Sequence, residues 1–92
     1  MQDFYLVEWK CSESDNQWLC STVAEANETI AQKLGEFIID CVKNNNQEIL
    51  EDFISKLHYD EIKEDGNVRI CLYTPDDDIY ITKLKLHDKR WN

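Results

Sequence analysis

Only two glycines and one proline punctuate these 92 residues. A chain so poor in backbone breakers must build long elements joined by short connections, with polar clusters making most of the turns. Three Trp, four Tyr and three Phe within a 42% hydrophobic composition supply apolar area for one core, and the length leaves no room for a second. The expectation is a single domain spanning 1–92 that folds without cofactor or metal.

Periodicity places the elements. Phe4 to Cys11 alternates, with Tyr5, Val7, Trp9 and Cys11 on one face and Phe4, Leu6, Glu8 and Lys10 on the other, which predicts a first strand. Trp18-Leu19-Cys20 is spaced to return as its hairpin partner. Thr22 followed by Glu25 fits a capping box, and Val23, Ala26, Ile30, Leu34, Phe37, Ile38 and Cys41 then fall on one side of a helical wheel. Asn45 and Glu48 predict a second cap, opening a helix through Ile49, Leu50, Phe53, Ile54 and Leu57 that ends near Tyr59 to Ile62. Asp65-Gly66 turns the chain into a strand carrying Val68, Ile70 and Leu72. Thr74-Pro75-Asp76-Asp77 turns it again into a strand with Ile79 and Ile81. Past Lys83 the apolar residues change phase to Leu84 and Leu86, which predicts a bulge or a strong twist. The order β-β-α-α-β-β implies an α+β two-layer sandwich, with an antiparallel sheet of about four strands and two helices on one face.

Ten Lys and Arg against nineteen Asp and Glu leave a net charge of −9, which repels phosphate backbones and disfavours direct binding of nucleic acid or anionic membranes. No stretch approaches the ~20 apolar residues of a membrane span, and the N-terminus lacks a signal-like segment, so the expected location is the cytoplasm. The acid is localised. Residues 1–66 carry fifteen acidic and five basic side chains, whereas 67–92 carry four and five. On the first helix Glu25, Glu28, Glu36 and Asp40 share the sector opposite the apolar stripe, and Glu48, Glu51 and Asp52 do the same on the second. At ~1.5 Å per residue the stripe from Glu25 to Asp40 spans roughly 22 Å, long enough to imitate a phosphate track. These faces read either as ordinary solvated surface or as a partner-binding surface for a basic protein or ribonucleoprotein. The scarcity of cations between Thr22 and Gly66, only Lys33, Lys43, Lys56 and Lys63, favours the second.

No motif carries identifiable chemistry. The four cysteines are separated by eight, twenty and twenty-nine residues, unlike the close pairs of zinc sites. Cys11 and Cys20 sit opposite one another if the hairpin turns at Asp15-Asn16, which would allow a strained disulfide or half a metal site, although free thiols are expected in a reducing cytoplasm. Asp76-Asp77-Asp78 lacks the alternating ligands of a calcium loop. His58 and His87 fall near element ends, and no spacing brings either to a cysteine, so no catalytic residue, cofactor site or metal site is expected. Lys89-Arg90-Trp91 form a basic, aromatic tip whose Trp either folds over the sheet edge or anchors a partner. Aromatics on the strands exceed what one core face can absorb, which fits a homodimer or a protein-binding sheet face.

Phe4-Tyr5-Leu6-Val7-Glu8-Trp9, then Trp18-Leu19-Cys20-Ser21-Thr22 leading into Ala24-Glu25-Ala26, and the closing Ile79-Tyr80-Ile81-Thr82-Lys83-Leu84 resemble many short phage-encoded one-domain α+β proteins. Among these, small acidic chains without catalytic residues resemble anti-CRISPR and anti-restriction inhibitors. The resemblance implies a non-enzymatic inhibitor that binds a host defence complex and blocks its nucleic-acid channel. The alternatives are an immunity or antitoxin-like protein that neutralises a basic toxin, and a thiol- or metal-dependent protein built on Cys11 and Cys20.

Overall fold

Alternation in the first eleven residues produces the longest strand pairing of the structure, a computed structural model that describes residues 2–12, 14–64 and 66–86. The elements are β1 (Gln2–Cys11), β2 (Asp15–Cys20), α1 (Val23–Lys43), α2 (Gln47–Lys56), β3 (His58–Glu64), β4 (Asn67–Tyr73) and β5 (Asp77–Leu86). All five strands form one antiparallel sheet in the order β2-β1-β5-β4-β3. The class is α+β as expected, but the sheet has five strands where four were expected.

The extra strand is β3. Tyr59 and Ile62 extend the three-residue apolar spacing of α2, which reads as helix, but the helix stops at Lys56 and Leu57 is extended (φ −72, ψ 126). From His58 onward the backbone pairs with β4, from His58↔Tyr73 to Glu64↔Asn67. Gly66 at φ 78 supplies the left-handed turn residue that such a tight hairpin requires. Turn chemistry at Gly66 thus outweighs helical spacing, because it offers the 58–64 backbone a full set of cross-strand partners.

α1 begins as its sequence predicts. The Thr22 hydroxyl accepts the Glu25 amide at 3.0 Å, while the Glu25 carboxylate reaches back to the Ser21 hydroxyl (2.8 Å) and amide (3.4 Å). α1 ends in a Schellman arrangement, with the Asn45 amide donating to the Val42 carbonyl and the Asn46 amide to that of Cys41. Asn45 takes φ 55, a conformation asparagine tolerates. The expected cap at Asn45 therefore moves one residue on: Asn46 is the N-cap of α2 and makes no side-chain capping bond.

Tyr5 and Val7 of β1, Ile79 and Ile81 of β5 and Leu72 of β4 form the core with Val23, Ala26 and Ile30 of α1 and Phe53 of α2. This is the face the alternation assigned to Tyr5, Val7 and Trp9. Ile38, expected on the buried stripe, is exposed, as are Ile49 and Ile54 of α2. Phe53 is the one buried residue of α2. It meets Phe37 at 4.9 Å between ring centroids and Trp9 at 6.4 Å, with Trp9 and Phe37 5.7 Å apart. The predicted bulge near Lys83 is absent. β1 and β5 pair without interruption from Gln2↔Leu86 to Cys11↔Asp77, so the phase change only moves the apolar residues from the helix face to the opposite one. Beyond Leu72↔Ile79 the pairing of β4 with β5 ceases, and the Val68 carbonyl takes a hydrogen bond from the Asn27 side-chain amide at 3.1 Å. His87, Lys89, Arg90 and Trp91 lie outside the described residues.

Because α2 is held mainly by one ring, Phe53→Ala is expected to cost ~3–5 kcal/mol, a large share of the ~5–15 kcal/mol typical of a small domain. Urea denaturation measures it, and a loss below ~1 kcal/mol would show that α2 docks by other contacts. Thr22→Ala is expected to cost ~1 kcal/mol by the same measurement, through the loss of the α1 cap.

Candidate functional site

The α1 and α2 caps fix the rotation of both helices, and that rotation turns all seven acidic residues, Glu25, Glu28, Glu36, Asp40, Glu48, Glu51 and Asp52, to solvent. Some are committed locally. Glu25 serves the cap, Glu36 pairs with Lys33 (3.3 Å), Asp52 with Lys56 (3.0 Å), and Glu51 accepts from the Gln47 side chain (3.1 Å). At such exposure these pairs contribute little, ~0–1 kcal/mol each, and exchange readily for a better cationic partner. Glu28, Asp40 and Glu48 make no ion pair or side-chain hydrogen bond with other described residues.

The structure gathers only part of the stripe. Three hollows surround Phe37, and the ring of Phe37 lines each of them. The first, about 380 Å³, is edged by Glu36, Asp40, Ile39 and Lys43. The second, about 190 Å³, is edged by Asp52, Ile49, Phe53 and Lys56 of α2 together with Thr74, Asp76 and Asp77 of the β4–β5 turn. The third, about 430 Å³, lies between α1 and the β1–β2 hairpin, with Trp9, Trp18, Lys33, Glu36 and Asp77 among its walls. Glu36 and Asp40 thus edge one hollow and Asp52 another, with Phe37 common to both, while Glu25, Glu28, Glu48 and Glu51 lie outside the three hollows. Asp76 and Asp77 were read from the sequence as solvated turn residues. They join Asp52 here only because Phe53 brings α2 to the β4–β5 turn.

Asp77 also organises that turn. One carboxylate oxygen accepts the Trp9 indole N–H (3.3 Å) and the other accepts the Thr74 hydroxyl (3.2 Å), while the Thr74 oxygen accepts the Asp76 and Asp77 amides. The acidic run is therefore a structural turn, and among the described residues no group of three or more His, Cys, Asp or Glu is placed to hold a metal ion. In the third hollow, the Lys33 ammonium sits 5.1 Å from the centre of the Trp18 ring and 3.3 Å from Glu36, so that hollow already pairs a cation with an aromatic face and a carboxylate.

Cys11 and Cys20 are not neighbours. β1 ends at Cys11 and β2 opens at Asp15, so Asp15-Asn16 is strand rather than turn, Cys20 faces Tyr5, and Cys11 contacts Ser14 at the far end. Six residues of strand, roughly 20 Å, separate the two levels, far beyond the ~6 Å reach of a disulfide, and no disulfide joins the cysteines. His58 stacks on Tyr73 (4.9 Å, 17°). The Cys71 thiol is pushed up in pKa by burial first and by the nearby Asp60 and Asp78 carboxylates second. The Tyr59 hydroxyl donates to Glu61 at 2.7 Å, which raises its pKa.

No described helix is long and apolar enough to cross a membrane. Comparison with family models, with curated proteins and with solved structures finds no match for this chain.

With its pKa raised, Cys71 stays a neutral thiol at neutral pH. Alkylation of folded protein by iodoacetamide, followed by peptide mass mapping, is expected to modify Cys71 more slowly than an ordinary exposed cysteine, with the rate rising only at alkaline pH. Asp60→Asn should accelerate it by removing one negative neighbour. An unchanged rate would assign the whole effect to burial.

Proposed function

We propose that the protein is a non-catalytic, acidic protein-binding module that inhibits a nucleic-acid-handling defence complex in the manner of anti-CRISPR proteins, by seating its acidic helix layer in the complex's cationic groove. The observation that carries this reading is the placement of Glu36, Asp40, Asp52, Asp76 and Asp77 on three adjoining hollows that share Phe37. Carboxylates from two helices and a turn then face the same partner over an aromatic floor. An arginine or lysine that normally holds phosphate would find there both an anionic partner and a ring to lie against. Glu25, Glu28, Glu48 and Glu51, exposed on the same helices, add long-range attraction that steers a basic partner without contributing much to the final contact.

The sign of the net charge, −9, supports a basic protein or ribonucleoprotein surface as the partner and speaks against nucleic acid itself. The reading places the protein in the cytoplasm of the cell whose defence it blocks.

The test is capture of partners by the tagged protein in a bacterium carrying CRISPR and restriction complexes, with elution by rising salt. A defence complex is expected to bind and to elute at moderate salt, because charge-held contacts weaken as the Debye length shrinks. Reversal of Glu36, Asp40 and Asp52 to Lys together should weaken capture by at least about tenfold. Capture that survives this triple reversal would remove the acidic hollows from the mechanism. A single basic toxin as the captured protein would assign the same surface to immunity instead.

A further inference from the structure

We propose that the third hollow, between α1 and the β1–β2 hairpin, is a guanidinium site, in which an arginine of a partner protein lays its head on the Trp18 ring beside the carboxylates of Glu36 and Asp77. That arginine belongs to the basic partner inferred above, so the source of the group rests on the inhibitor reading, while the site itself does not. Alternation and register build the walls. Trp9 and Asn16 are cross-strand partners, as are Val7 and Trp18, so the two indoles are diagonal neighbours on the side of the sheet that faces α1. Lys33, Glu36 and Phe37 follow at three- and four-residue spacing and share the face of α1 that meets them. Cys11, Ser14 and Asn16 complete the hairpin side with short side chains, which leaves about 430 Å³ open between helix and hairpin. Sites that enclose small ligands run from ~300 to ~1,000 Å³.

The chemistry of the walls selects the occupant. Aromatic faces attract cations and repel anions, and two carboxylates add the same preference, whereas a neutral group would leave both carboxylates unused. The protein itself shows that a cation fits: the Lys33 ammonium lies 5.1 Å from the centre of the Trp18 ring and 3.3 Å from Glu36. That hold is loose, because the Glu36 side chain is 56% exposed and an ion pair so open to water yields to a better cation. Asp77 accepts the Trp9 indole N–H with one oxygen and the Thr74 hydroxyl with the other, and each oxygen keeps a lone pair for a further donor. A guanidinium suits these walls better than an ammonium. It is flat, so it stacks on a ring while its edge donates to carboxylates, and it is weakly hydrated, so it enters among Trp9, Trp18 and Phe37 at less cost. Lys33 is then a resident competitor that an arriving arginine displaces from the ring.

Titration of the full chain with Nα-acetyl-arginine-N-methylamide, followed by the NMR signals of the Trp9 and Trp18 indole N–H groups, is the test. The expected result is a saturable shift of both signals with a dissociation constant on the order of millimolar, the strength of one cation–ring contact joined to one charge-assisted pair. The uncharged citrulline analogue should shift neither signal, and the lysine analogue should bind at least about threefold more weakly. Lys33→Gln should tighten binding about threefold or more by vacating the ring. Lys63→Gln removes the same charge at the β3 edge, the opposite side of the sheet from β2, and should leave binding unchanged. Trp18→Leu, checked for folding by circular dichroism, should abolish saturation. Free arginine, whose own carboxylate is repelled by Glu36 and Asp77, should bind more weakly than the capped form. The absence of a saturable shift overturns the proposal, as does equal binding of the citrulline or lysine analogue, or a gain from Lys33→Gln no larger than that from Lys63→Gln. Tighter binding of free arginine overturns the assignment to a protein side chain. No defence complex enters this measurement, so failed capture overturns only the inhibitor reading, and a hollow that takes no guanidinium leaves that reading to the other two hollows.

Discussion

The contact among Trp9, Phe37 and Phe53 holds the functional half of the molecule in register. It joins three elements: a central strand, the long helix and a short helix with one buried residue. Each aromatic pair contributes ~0.5–1.5 kcal/mol beyond the area it buries, and the three rings bury one another. The Trp9 indole N–H would be an unmet donor at this junction, and Asp77 meets it. Through that bond the β4–β5 turn is tied to the same point. The acidic hollows are therefore a by-product of core packing: Phe37 is common to all three, and the rings bring α2 and the β4–β5 turn up beside it.

This explains which parts were legible in the sequence. α1 was, because its cap at Thr22 and its apolar stripe are local and periodic, and both faces of β1 were legible for the same reason. The strand β3 was not, because Tyr59 and Ile62 sit at helical spacing after Phe53, and the competing partners, Leu72 and Arg69, lie across a turn in β4. The seven helix acids were legible as exposed residues. That Asp52 shares a hollow with Asp76 and Asp77, beside the Phe37 ring that Glu36 and Asp40 also flank, depends on where α2 lands. No spacing rule encodes that position. Cys11 and Cys20 failed for a smaller reason: with Asp15 and Asn16 paired to Lys10 and Trp9 instead of turning, the cross-strand partner of Cys20 is Tyr5.

The same architecture decides where charge can and cannot go. A sheet covered on one side must place every second residue of its strands on the uncovered side. In a solvated sheet those positions are polar, and β3, rich in Asp, Glu and Lys, follows that rule at its edge of the sheet. The other side of the sheet departs from it. Phe4, Leu6, Leu19 and Leu84 occupy outward positions on three adjacent strands, where a polar residue would have cost the core nothing. Acid is not reserved for the helices: they carry seven of the nineteen carboxylates on 31 of the 92 residues, and β3 carries three more on seven. The apolar outward positions therefore gather at one end of three strands, while carboxylates are spread over helices, turns and the β3 edge alike.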